Sequence, residues 1–159
     1  MGANVGVLNE VYTRINTSTG VGLQLAEVKM VRVGSIEDAR KQNDFPVVNI
    51  QLLGGTEDPD SPNRRRCDLM DIEIVLVYPK LADALNTLYK VSDSSGGLYL
   101  FEKLRNVLDK NTAGAVDNTY GGTVAFDKLI SYTIEDSNDI IEFKIVLRLK
   151  TASYAAGGR

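Results

Sequence analysis

Histidine is absent from this chain, and so is tryptophan; cysteine occurs once, at Cys67. Without histidine there is no Ser-His-Asp or Cys-His nucleophile system and no imidazole metal site. A single cysteine forms no internal disulfide and no four-cysteine zinc site, which fits a reducing compartment and stability from packing or assembly. With no tryptophan, aromatic anchoring falls to seven tyrosines and four phenylalanines. Long apolar runs are missing too. Ile74–Tyr78 is the longest, far short of the roughly 20 residues that span a bilayer. The first residues lack a basic segment followed by an apolar core, so no secretory signal is expected. Net charge is −3, spread nearly evenly along the chain, which argues against a general nucleic-acid binder with a concentrated basic face.

What is present is patterning. In 68–80, Met70, Ile72, Ile74, Leu76 and Tyr78 alternate with Asp71 and Glu73, the signature of a strand with one buried and one wet face. The wet face turns apolar at Val75 and Val77, so this end of the strand is expected to be covered on both sides, by helix 80–91 or by a neighbouring chain. Pro79 closes the strand.

Upstream, Val5, Leu8, Tyr12 and Ile15 predict an amphipathic helix over 3–16. A strand follows at 28–33, then a helical turn from 35 with Ser35 as N-cap and Asp38 three residues on. Val48, Ile50 and Leu52 alternate with Asn49 and Gln51 behind Pro46. Two glycines, two prolines and three acids then predict an irregular loop over 54–66, the tip of a hairpin pairing 45–53 with 66–78. Loops of this length in a compact domain are commonly functional.

Downstream, Leu81, Ala84, Leu85 and Leu88 predict a helix over 80–91, and Leu100, Phe101, Leu104, Val107 and Leu108 a second over 97–110. Ile130, Tyr132 and Ile134 alternate in one strand, and Ile141, Phe143, Ile145, Leu147 and Leu149 in the last, joined by a turn at 135–139. The expected fold is α+β: a mostly antiparallel sheet built from two hairpins, with an N-terminal helix and an αα pair on one face. One domain spans 1–151 with an arm at 54–66, and 152–159 reads as a tail.

No run of residues carries obvious chemistry. Arg64, Arg65 and Arg66 suit bidentate contact with carboxylates or phosphates, although Glu57, Asp58 and Asp60 in the same loop can balance them. Asp58 and Asp60, or Asp68, Asp71 and Glu73, lack the ligand spacing of a calcium loop; solvent-facing strand positions explain Asp71 and Glu73. The glycine pairs at 54–55, 96–97 and 121–122 match no phosphate-binding pattern. Cys67 has no base and sits beside Asp68, which disfavours a thiolate. No catalytic, cofactor or metal residue is nominated. An α+β ligand-binding or enzymatic domain remains an alternative.

The N-terminal helix, the hairpin "FPVVNIQLL" with "DLMDIEIVLVYPK", the intervening helices and the closing "ISYTIEDSNDIIEFKIVLRLKT" together resemble the tail terminator (tail completion) proteins of long-tailed bacteriophages. The resemblance spans about 1–151 in element order. It implies a non-enzymatic virion protein with no cofactor. Members form a hexameric ring at the head-proximal end of the tail tube, stop tube polymerisation and join the neck. The implied partners are further copies of the chain, a tail tube protein and a neck or head connector protein. No membrane and no sequence-specific nucleic acid are among them. Assembly would occur in the host cytoplasm. Within that frame the expected contact residues are Asp58, Asp60, Arg64, Arg65 and Arg66 in the arm, Val75 and Val77 in the strand, and Tyr12 in the first helix. Another connector, stopper or tube component is the alternative within the same machine.

Overall fold

The computed structural model describes residues 3–16, 28–42, 45–57, 65–79, 96–108, 124–137 and 139–154. Their order is α1 (Ala3–Asn16), β1 (Met30–Val33), α2 (Ile36–Arg40), β2 (Val47–Glu57), β3 (Arg65–Pro79), α3 (Gly97–Leu108), β4 (Val124–Asp136) and β5 (Ile140–Tyr154). The fold is α+β, with one five-stranded, mostly antiparallel sheet of order β1-β2-β3-β5-β4 and a few short helices.

Period-2 patterning sets the sheet. β2 pairs antiparallel with β3 from Val47↔Val77 to Glu57↔Asp68, and β3 pairs antiparallel with β5 from Arg65↔Tyr154 to Pro79↔Ile140. Partners across a ladder share a face, so Ile50, Ile74 and Ile145 line up on one side, as do Val48, Leu76 and Phe143. All six are fully buried or within 1% of it. Burying a side chain of this kind contributes about 1.5–3 kcal/mol.

Helices cover that face. From α3, Leu100, Phe101, Leu104, Val107 and Leu108 are all buried, the stripe its periodicity predicts. Phe101 stacks on Phe143 with ring centroids 5.1 Å apart and meets Tyr132 at 6.2 Å. In α1 the inward stripe is Val7, Val11 and Ile15, with Leu8 and Tyr12 on its flank. The helix is therefore rotated from the stripe expected on Val5, Leu8, Tyr12 and Ile15. Both stripes satisfy helical spacing, and packing against the sheet selects the β-branched one.

Two boundaries differ from expectation, and the sequence leaves one strand direction open. β1 runs parallel to β2, Met30↔Val47 to Val33↔Ile50; the connection at 34–46 is long enough for a crossover. β2 continues through Gly54 and Gly55 to Glu57, where a loop was expected, because a register shift between Leu52 and Gly54 absorbs the glycines. β5 continues through 152–154, where a tail was expected, because Arg65–Cys67 of β3 offers it a ladder. The helix expected over 80–91 lies outside the described residues.

Candidate functional site

The arm is built as an extension of the sheet. At the register shift Leu53 is the extra residue, half exposed, and Gly54 takes a φ of 154°, a region that favours glycine. Gly55 passes close over β3: a Cβ there would stand 2.7 Å from the Leu69 carbonyl oxygen. Beyond this point Thr56 and Glu57 remain paired with Leu69 and Asp68 while their side chains face solvent. Arg65 and Arg66 lie in β3, paired with Tyr154 and Ser153 of β5. Asp58, Asp60 and Arg64 lie outside the described residues. The ladder thus carries the chain outward on three adjacent strands to either side of 58–64.

Val75 and Val77 sit elsewhere. They are fully buried with Val47 and Ala39, packed by Ile36, Phe45 and Ile140, on the sheet face opposite α1 and α3. Among the described residues their cover is α2, and both valines are 0% exposed within the chain rather than open on its surface. The apolar ends of two strands required a cover, and the crossover helix provides it.

That cover is pinned by polar contacts. Ser35 caps α2, its Oγ accepting from the Asp38 N–H at 3.2 Å, as the capping pattern predicts. The Arg32 Nη1 donates to the Ser35 carbonyl at 3.0 Å. Asn49, fully buried, donates through Nδ2 to the Gly34 carbonyl at 2.9 Å, and its Oδ1 has no partner among the described residues. At the far end, Arg40 donates from Nε and Nη2 to both oxygens of Glu142, at 2.7 and 2.8 Å. The Glu142 side chain is 5% exposed and that of Arg40 39%. The Arg40 pKa is raised above the ordinary guanidinium value. The Glu142 hydrogen bond is the largest cause; burial opposes it, and the carboxylates of Glu142, Glu135 and Glu37 add to it.

Further along the same face the sheet carries a charged layer. Arg148 donates to Asp71 at 2.8 and 3.1 Å, and Lys144 reaches Glu135 at 3.1 Å. Asp71 is therefore committed to a structural ion pair rather than to acid–base chemistry. Among the described residues no group of three or more His, Cys, Asp or Glu side chains is arranged to hold a metal ion. No protein-family model and no curated protein matches this chain.

Tyr12 is half-buried on the flank of α1 and packs against the main core, leaving part of its surface outward. A different cluster of exposed apolar side chains lies on β4. Ile130, Tyr132 and Ile134 of β4 are 42%, 52% and 41% exposed. Their alternation marks a strand with an apolar side, and that reading is right as far as it goes. Alternation does not say that the strand is at the sheet edge, where α3 covers it only in part. The Arg105 guanidinium lies over the Tyr132 ring, 4.6 Å from its centroid.

Proposed function

We propose that this chain is a structural virion protein of the tail terminator type, a ring that caps the head-proximal end of a phage tail tube and joins it to the neck. The supporting observation is the arm: β2, β3 and β5 stay hydrogen-bonded out to Glu57, Arg65 and Tyr154, with 53–57 exposed, and so hold both ends of 58–64. An extended ladder that carries a long connection on a rigid base suits docking better than enclosure of a small substrate. In the reading proposed, one ring face imitates the next tube ring and binds the growing end, and the other lacks a tube-like edge, so addition stops. Subunits in such a ring meet head to tail and close by rotation. A helix over 80–91, completing an αα pair with α3, belongs to the same proposal.

Asp58, Asp60, Arg64, Arg65 and Arg66 are the residues proposed to meet the tube or neck, with Tyr12 of α1 as an accessory contact. Replacing 58–64 by a short glycine-containing turn leaves the sheet intact and weakens docking. The expected outcome is tails of irregular length or tails that fail to join heads. Normal tail length and normal head attachment with the shortened arm would overturn the assignment. Binding of the chain at a different level of the neck would move it to another connector or stopper.

A further inference from the structure

The open edge of β4 has a pattern that matches itself. β4 is the last strand of the sheet, paired on one side with β5 and with no strand on the other among the described residues. A long edge strand with exposed apolar side chains is a template for pairing with another chain. Registers assign its faces. Tyr132 and Ile134 pair with Ile145 and Phe143, so they lie on the helix-bearing face; Thr133 and Ser131 pair with Lys144 and Val146 and lie on the charged face. Between Leu129 and Ser131 one extra residue is inserted. This bulge keeps Leu129 and Ile130 on the apolar side and puts Lys128, opposite Arg148, on the charged side.

Antiparallel pairing of this edge with the same edge of another molecule, about a twofold axis at Tyr132, satisfies both faces. On the apolar face Tyr132 meets Tyr132 of the other copy, and Ile134 meets the bulged Leu129 and Ile130. On the charged face Ser131 meets Thr133, and Lys128, once past the bulge, meets Glu135. Each contact occurs twice by symmetry, except the one on the axis. A register displaced by one residue places the apolar side chains of one copy against the polar face of the other. We infer that β4 is a self-association edge whose occupant is the β4 strand of a second copy of this chain, forming a continuous ten-stranded sheet. Apolar match and charge complementarity in one register select a second copy over an unrelated peptide. The contact is isologous and closes at two, so the inference goes beyond the head-to-tail ring and does not rest on it.

One edge strand is a small interface, and association is expected in the micromolar range rather than tighter. The test uses the full chain carrying Cys67→Ser. Directly opposed antiparallel residues have Cα atoms about 4.5–5.5 Å apart, within disulfide reach. Tyr132→Cys should therefore cross-link to a covalent dimer under mild oxidation, whereas the exposed Glu57→Cys should not. Sedimentation of the unmodified chain up to about 100 μM should show a monomer–dimer equilibrium. Ile130→Lys with Ile134→Lys should weaken it by at least about tenfold while circular dichroism stays unchanged. A monomer at every concentration, equal cross-linking at both positions, or dimers indifferent to the lysine pair would overturn the inference. Rings of six with no cross-link at 132 would overturn it while leaving the ring reading intact. Cross-linked dimers that never cap tubes would do the reverse.

Discussion

Removing Arg40 should loosen α2 and uncover the apolar ends of β2 and β3. In the wild type the guanidinium makes two hydrogen bonds to a Glu142 carboxylate that is 5% exposed. Arg40→Ala leaves that carboxylate without its cation. Breaking a fully buried pair costs about 3–5 kcal/mol. Two features reduce the figure here. Arg40 is 39% exposed, and a five-residue helix can swing aside to let water reach the carboxylate. A cost of about 2 kcal/mol follows, in the range for a stranded charged group. For a chain of this size that lowers Tm by about 4–8 °C and the urea midpoint by roughly 1 M. The raised Arg40 pKa gives the sign of the pH effect: the clamp is fully present below the ordinary arginine range and is lost only at strongly alkaline pH. Hydrogen exchange should locate the change: the Ala39 and Lys41 amides, bonded to Ser35 and Asp38 carbonyls, exchange faster in the variant while β3 amides do not. A double-mutant cycle with Glu142→Gln should give a coupling of about 1 kcal/mol or more. A loss under about 0.5 kcal/mol, the range of an unremarkable surface change, with no coupling would refute the clamp.

Gly55→Ala should cost about 1–3 kcal/mol, because its Cβ would meet backbone at 2.7 Å, and the loss should appear in thermal melts together with faster exchange in the arm. Phe101→Ala should be among the most damaging single changes, about 3–5 kcal/mol by urea titration, since Phe101 joins α3 to Phe143 and Tyr132. Asn49→Ala should cost about 1–2 kcal/mol by leaving the Gly34 carbonyl unpaired. Asn49→Asp should cost more, by placing a charge where exposure is 0%. Asp71→Asn should change stability by no more than about 1 kcal/mol, and the effect should shrink in high salt, because the Arg148 pair is about 30% exposed on each side.

The central fold was legible because its strongest signals are periodic. β3 and β5 bury every second residue as their alternation requires, α3 presents its expected stripe, and Ser35 caps α2 where the sequence places it. Less legible were features that depend on neighbours. Glycines at 54–55 read as a loop, yet a bulge and a close strand approach use them within a ladder. Residues 152–154 read as a tail until β3 supplies a partner. Val75 and Val77 announced a second cover, but not that a five-residue helix would supply it. Val7, Val11 and Ile15 compete with Leu8 and Tyr12 for the inward side of α1, and periodicity alone cannot rank two stripes of equal spacing. The edge position of β4 is a property of strand order, which no local pattern encodes.

The most direct measurement of the functional proposal is electron microscopy of tail tubes growing in the presence of the purified, gold-labelled chain. Label is expected at one end of each tube, as a single ring, with elongation halted at that end. Tubes that lengthen at the same rate with label absent from their ends, or spread along their length, would contradict it.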